Sequence, residues 1–149
     1  MKSLILFFLI LFDYISKSLI TSNLEENTFI TILPFLKIVN VHNYGISFGL
    51  FDNYLSYEII LIIGGIVTLF VLYLLINSSS RIEKNGFFLI ICGAISNLLD
   101  RLMNEYVIDF IYMHYNNYYW PAFNFADIYI SVGVMLLIYE YFIGAKKRN

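Results

Sequence analysis

Charged residues are scarce in this chain. Only 13% of its 149 residues are Asp, Glu, Lys or Arg, whereas a soluble domain has about 25%. The hydrophobic fraction is 60% and the mean hydropathy is +0.74. This composition excludes an ordinary soluble domain and predicts an integral membrane protein, and the length is that of a single domain.

Cysteine and histidine are also rare, and their positions exclude several kinds of site. The one cysteine, Cys92, lies in an apolar stretch, where a buried thiol is expected and no internal disulfide can form. His42 and His114 lie in separate loops and no His-Glu-x-x-His run occurs, so neither a catalytic zinc nor another cofactor is expected. No basic cluster is interleaved with aromatic residues, which argues against a nucleic-acid partner.

Four apolar segments approach the length of about 20 residues that crosses a bilayer. They cover residues 3–20, 59–76, 86–102 and 125–142. The predicted fold class is therefore a mainly α membrane protein, a four-transmembrane-helix bundle formed by a single domain of residues 1–149. A cleaved signal peptide is not favoured for the first segment, because Asp13 and Lys17 interrupt it and no small-residue cleavage site follows.

The basic residues predict the orientation of the four spans. They gather at the N-terminus, in the second connection and at the C-terminus, as Lys2, Arg81, Lys84, Lys146, Lys147 and Arg148. The positive-inside rule makes both termini cytoplasmic. The long connections of residues 21–58 and 103–124 then face outward, and the run KIVNVHNYGISFGLFDN in the first one favours a small extracytoplasmic β-rich region.

Two pairs of polar residues interrupt the spans at helical spacing. Asp13 and Lys17 share one helix face, where they form either an ion pair that lowers the cost of insertion or the polar wall of a site. Asn97 and Arg101 have the same spacing at the outer end of the third span. Arg101 there either extends to the lipid headgroups or joins Asn97 in holding a peptide backbone or carboxylate.

Two carboxylates lie among apolar residues at the outer edge of the membrane. Asp109 lies in VIDF, and Asp127 lies in FNFAD, which has the form of a helix N-terminus capped by Asn124. If the two carboxylates meet in a region of low dielectric constant, they share a proton. One then acts as a base towards water and the other as an acid towards a peptide carbonyl, as in an aspartyl protease.

Two other classes stay open on these residues. A small transporter would use Asp13, Lys17, Asp109 and Asp127 as a proton relay, although only the first two lie deep in a span. A structural subunit of a larger complex would not depend on any single carboxylate.

The motifs, in their order along the chain, resemble the bacterial lipoprotein signal peptidase (signal peptidase II) family. The matching runs are DYISK, VHNYGISFGLF, GAISNLLDR, VIDF and WPAFNFAD, which together extend over nearly the whole chain. The resemblance implies an aspartyl endopeptidase of the bacterial cytoplasmic membrane, with its active site at the outer face. Its substrates would be diacylglyceryl-modified prolipoproteins, cut on the N-terminal side of the lipidated cysteine, and globomycin-type cyclic peptides would inhibit it.

The same resemblance assigns roles to individual residues. The catalytic pair is Asp109 and Asp127, and Asp13 and Lys17 give structural polar support. Substrate binding or oxyanion support falls to Asn43, Asn97, Arg101 and Asn124. Phe48 and its neighbours in residues 45–51 are expected to cover the substrate.

The chain departs from the family pattern at three small residues. Ser47 stands where the family has Ala, and Cys92 and Ser96 replace two glycines of the third span. These changes bear on the fit of the substrate rather than on the catalytic positions.

Overall fold

The computed structural model describes residues 2–45 and 55–148, and the side chains of residues 3–45 and 55–143. The expected substrate cover at Phe48, and Ser47 with it, lies outside the described residues. The elements in chain order are α1 (Lys2–Asn23), β1 (Phe29–Leu33), β2 (Leu36–Asn43), α2 (Tyr57–Asn77), α3 (Arg81–Asn104), β3 (Val107–Tyr115), β4 (Tyr118–Tyr119) and α4 (Phe125–Arg148).

All four helices are long and apolar enough to cross a membrane. The candidate spans are Ser3–Asn23, Tyr57–Asn77, Arg81–Asn104 and Phe125–Ile143. Together with a small antiparallel sheet, they confirm the predicted fold class of a four-helix membrane bundle with a β-rich region.

The third helix begins five residues before the predicted span, at Arg81 rather than residue 86. The hydroxyl of Ser80 accepts hydrogen bonds from the backbone N–H groups of Ile82 and Glu83, at 3.2 and 3.4 Å. This cap starts the helix in a polar segment, because it satisfies N–H groups that have no partner within the helix. Hydropathy alone does not predict a helix that begins in a polar segment.

Glycines allow α3 and α4 to approach closely. A Cβ atom on Gly86 would lie 2.8 Å from the carbonyl oxygen of Gly133, and one on Gly133 would lie 2.6 Å from the carbonyl oxygen of Gly86. A Cβ atom on Gly93 would overlap the backbone of Ala126. Close backbone contact of this kind is the usual basis of helix association in lipid, and here it fixes the start of α4 against the middle of α3.

The two long connections combine in one antiparallel sheet with the strand order β1-β2-β3-β4. β2 comes from the first connection and β3 from the second, and their register pairs Val41 with Asp109 and Asn43 with Val107. The sheet lies where α1 and α3 end and α2 and α4 begin, which we call the sheet end of the bundle. β3 is buried from Val107 to Phe110 and becomes exposed towards Tyr115, so its first half belongs to the protein interior.

Candidate active site

Asp109 is buried at the inner half of β3, with 4% of its surface exposed. The neighbouring strand β2 ends at Asn43, whose side-chain amide donates a hydrogen bond to Oδ2 of Asp109 at 2.9 Å. The pairing of β2 with β3 therefore holds one oxygen of this carboxylate.

Asp127 is held in the first turn of α4 by a reciprocal cap. The backbone N–H of Asp127 donates to Oδ1 of Asn124 at 3.0 Å, and the backbone N–H of Asn124 donates to Oδ2 of Asp127 at 3.1 Å. This exchange resembles a capping box, in which two side chains satisfy each other's backbone N–H groups. The cap that the sequence predicts at Asn124 is present, and it also orients the carboxylate.

Asn124 joins the two acids, because its side chain bonds to the carboxylate of Asp109 and its backbone N–H bonds to the carboxylate of Asp127. It is fully buried, and its Nδ2 donates to Oδ1 of Asp109 at 2.7 Å while its Oδ1 accepts from the backbone of Asp127. Asp109 and Asp127 are thus both in hydrogen-bonding contact with one residue, although 18 positions separate them along the chain. Because the bridging amide is neutral, it brings the two acids together without compensating the charge of either.

Burial, followed by the negative charge of Asp127, raises the pKa of Asp109 to about 7. Hydrogen bonds from Asn43 and Asn124 favour the ionised form and limit the increase. Asp109 is therefore a carboxyl group that exchanges its proton near neutral pH.

Lys17 is the centre of a second buried cluster beside the carboxylate pair. With 1% of its surface exposed, its ammonium group lies 2.6 Å from Oδ2 of Asp13 and 2.7 Å from Oδ2 of Asp100. It also donates to Oδ1 of Asn97 at 3.0 Å. The pair of Asp13 and Lys17 is thus not an isolated intrahelical ion pair but links α1 to α3.

The Lys17 cluster reaches Asp127 through Asn97. Since a lysine can only donate, its contact fixes which end of the Asn97 amide faces α1. The Nδ2 of Asn97 then donates to Oδ1 of Asp127 at 2.9 Å. Asp13 contributes separately, because its Oδ1 accepts the backbone N–H of Ala126, at the start of α4, at 3.0 Å.

The shortest hydrogen bond of Arg101 is to a backbone carbonyl group of the protein. Its Nη2 donates to the carbonyl oxygen of Gly45 at 2.6 Å, and its Nη1 donates to that of Asn97 at 3.4 Å. Its Nε has no hydrogen-bond partner among the described residues, although Arg101 is buried, with 8% of its surface exposed. Arg101 therefore anchors the chain at Gly45, two residues after the end of β2.

A cavity of about 420 Å³ opens beside the two carboxylates. Its polar side carries Asn43, Asn97, Arg101, Asp109 and Asp127. Its apolar walls come from α2, α3 and α4, through Ile63, Val67, Leu98 and Ile130. The polar groups thus stand at one edge of an apolar groove that runs between three membrane helices.

The structure brings all eight predicted site residues into two connected clusters. Sequence reasoning missed Asp100, whose side chain lies about 100° around the helix from that of Arg101. That offset turns Asp100 towards α1, where Lys17 lies. A basic residue in the middle of the first span is the signal that could have predicted a second acidic partner. Within the described residues, no group of three or more His, Cys, Asp or Glu side chains has the arrangement to hold a metal ion.

Comparisons with known proteins agree with this architecture. The family model described as signal peptidase (SPase) II matches residues 5–143. A lipoprotein signal peptidase of Thermodesulfovibrio yellowstonii is 41% identical over 140 residues, covering 93% of this chain and 92% of the relative. One of Rickettsia africae is 39% identical over 145 residues, covering 95% and 72%.

Solved structures show the same fold. A bacterial membrane enzyme determined by the in meso method at 2.3 Å resolution superposes with a TM-score of 0.89 and 26% identity, covering 99% of this chain and 91% of that one. A second, at 1.9 Å resolution, gives a TM-score of 0.82 with 28% identity, covering 94% and 91%.

Fold and site together define a multi-pass membrane protein with a buried pair of carboxylates beside a groove within the bundle. The family match over residues 5–143 makes the assignment more specific. The chain belongs to the signal peptidase II family, and is thus a protease embedded in a bacterial membrane.

Proposed function

We propose that this protein is an aspartic endopeptidase that removes the signal peptide from diacylglyceryl-modified prolipoproteins, on the N-terminal side of the lipidated cysteine. The observation that carries the proposal is the contact of both Asp109 and Asp127 with Asn124, at the edge of the groove. The names of the relatives, lipoprotein signal peptidases, support the choice of substrate.

The raised pKa of Asp109 favours a division of roles between the two acids. Asp109, whose pKa is raised to about 7, carries the shared proton at rest. Asp127, which accepts hydrogen bonds from Asn97 and from the backbone of Asn124, is the base.

The reaction then follows from these protonation states. Asp127 removes a proton from a water molecule, the water oxygen bonds to the scissile carbonyl carbon, and Asp109 donates its proton to the carbonyl oxygen. When the tetrahedral intermediate collapses, Asp127 passes its proton to the departing nitrogen and Asp109 takes a proton back from the hydroxyl. Both acids return to their starting states, so no cofactor enters the cycle.

A lipid anchor is the expected means of presenting the substrate. The groove combines a polar edge with walls of Ile63, Val67, Leu98 and Ile130, which suit a segment that enters from the bilayer. Acyl chains held in the membrane would keep the scissile bond at the level of the two carboxylates. Unmodified prolipoprotein should therefore be cut more slowly, and equal rates for the two substrates would contradict this step.

We propose that the sheet end of the bundle faces outward and that both termini are cytoplasmic. The basic residues Arg81 and Lys84 at the opposite end support this orientation. A single cysteine placed by Glu25→Cys should react with an impermeant maleimide on intact cells, and one placed by Lys84→Cys should react only after the cells are opened. Cys92 is fully buried, so the unchanged protein is the blank for labelling.

The decisive experiment changes each acid to its amide. Purified Asp109→Asn and Asp127→Asn proteins in detergent should release no signal peptide from a lipidated prolipoprotein, while circular dichroism and thermal melting show a folded protein. Glu25→Gln is the matched control, because Glu25 is an exposed acid at the sheet end. Wild-type processing by either amide variant would remove the proposed pair. A globomycin-type cyclic peptide should inhibit the unchanged enzyme, and complete insensitivity would count against the substrate class.

A further inference from the structure

The sheet ends in an aromatic surface on the side away from the carboxylates. A hollow of about 600 Å³ there is lined mainly by Phe35, Tyr115, Tyr118, Tyr119, Trp120 and Phe123. We call this the aromatic hollow. Tyr118 is 82% exposed and Trp120 is 58% exposed, so these rings are not part of the protein core.

The composition of this surface is unusual for contact with water. Among the described residues that line the hollow there is no Asp, Glu, Lys or Arg. The adjoining strand β1 exposes large apolar side chains on both faces, through Phe29, Ile30, Ile32 and Leu33. An edge strand of this kind in water promotes aggregation, so the surface requires a cover.

The hydrogen bond between Ala126 and Asp13 locates the hollow relative to the bilayer. It sets the first turn of α4 level with the middle of α1, which continues for ten residues beyond Asp13 to Asn23. Ten helical residues rise about 15 Å. The end of the link from Trp120 that joins α4 therefore lies within the depth that α1 spans.

The hollow also continues into a lipid-facing surface. Phe123 lines the hollow and pairs with Ile111 across the sheet. Two residues later, the ring of Phe125 lies 4.7 Å from that of Phe12, which is 53% exposed on the outside of α1. Apolar surface thus extends without a charged side chain in this path from the bundle to the sheet.

We propose that the aromatic hollow, with strand β1, is seated in the headgroup layer of the bilayer and filled by phospholipid. Tyr and Trp are the side chains enriched at that level, because each has an apolar ring and a polar tip. The turn between Tyr115 and Tyr118 consists of Asn116 and Asn117, which keep polar groups at its tip.

The substrate is a weaker candidate for the occupant. Tyr115 lies six positions after Asp109 on β3, which corresponds to about 20 Å. A peptide held for cleavage at the carboxylates would have to leave the groove to reach the hollow. With lipid as the occupant, β3 is held by the protein interior at Val107–Phe110 and by the bilayer at Tyr115. These two contacts would fix the depth of Asp109 at the membrane boundary.

The single tryptophan makes this proposal directly testable. The full-length protein is reconstituted into phosphatidylcholine vesicles, and the emission of Trp120 is measured with lipids brominated near the headgroup, with lipids brominated deeper in the chain, and with aqueous iodide. We expect a roughly twofold loss of emission with the shallow bromine, a smaller loss with the deep one and little effect of iodide, as for an interfacial tryptophan. The protein with Trp120→Phe and Phe70→Trp is the depth reference, since Phe70 is exposed on the α2 span.

Matched double variants then test the tyrosines. Tyr118→Ser with Tyr119→Ser should weaken the bromine quenching and increase iodide quenching of Trp120. Tyr139→Ser with Tyr141→Ser, which changes two exposed tyrosines near the other end of α4, should leave both unchanged. Strong iodide quenching of the unchanged protein would place the hollow in water and overturn the proposal. Protection from both quenchers would also overturn it, because a second copy or another protein would then be the cover.

Discussion

Two pairs of buried carboxylates lie side by side in this protein. The group that lies between the two acids is different in each pair. Between Asp13 and Asp100 stands the ammonium group of Lys17, within 2.6 and 2.7 Å of their oxygens. Between Asp109 and Asp127 stands the neutral residue Asn124, whose side-chain amide bonds to Asp109 and whose backbone N–H bonds to Asp127. A cation compensates the charge of both neighbouring acids, whereas a neutral bridge leaves two acids competing for a proton. We therefore expect the first pair to serve the structure and the second to serve proton transfer.

Removing the cation should have the largest effect on stability. Lys17→Met leaves Asp13 and Asp100 buried without compensation, which costs about 3–5 kcal/mol in comparable buried pairs. Thermal melting in detergent measures the loss, with Lys37→Met on the sheet as the control. A Lys17→Met protein as stable as wild type at neutral pH would show that the cluster is not a structural unit.

Removing the neutral bridge should reduce activity more than stability. Asn124→Ser keeps a side chain that can cap α4 but is too short to reach Asp109. We expect processing to fall about 100-fold, as for a small misplacement of reacting groups, with little change in melting temperature. Near-normal processing by this variant would mean that the two acids do not need the bridge.

The pH dependence of processing should identify the acid that carries the proton. With a pKa of about 7, Asp109 is protonated below that pH, so kcat should fall as the pH rises through about 7. The amide of Asn43 lowers the pKa of Asp109, so Asn43→Ala should move this decrease of kcat to higher pH. Lys37→Met serves again as the control. If the decrease of kcat in Asn43→Ala stays at the same pH or moves to lower pH, the assignment of the proton to Asp109 is contradicted.

The smallest effect is expected at Asp100. Asp100→Asn replaces one of the two charged partners of Lys17 and leaves Asp13 in contact. The expected loss is about 1 kcal/mol of stability, typical of one hydrogen bond, and a few-fold decrease in processing rate. A loss as large as that of Lys17→Met would show that Asp100, rather than Lys17, holds the cluster together.

Much of the site could be predicted because membrane sequence limits where polar residues occur. An Asp among apolar neighbours, at 109, or at the start of an apolar helix, at 127, is conspicuous where charge is expensive. The spacing of Asn124 and Asp127 likewise predicts a cap by local rules alone. These signals depend on a few consecutive residues.

The contacts between distant segments could not be predicted in the same way. Nothing in the run containing Asn43 shows that its strand pairs with the strand of Asp109. The direction in which Asp100 points depends on how α1 packs against α3. The second role of Asn124, as the bridge to Asp109, exists only once the sheet and α4 meet.

The sequence by itself determined that this is a four-span membrane protein and which polar residues are the main candidates for its site. It could do so because the bilayer imposes a length on each apolar segment and a cost on each buried charge. Only the tertiary structure decided which acids share Lys17 and which share Asn124. That choice depends on side-chain contacts of about 3 Å between helices and strands, and these follow from close packing at glycines such as Gly93 and from sheet register.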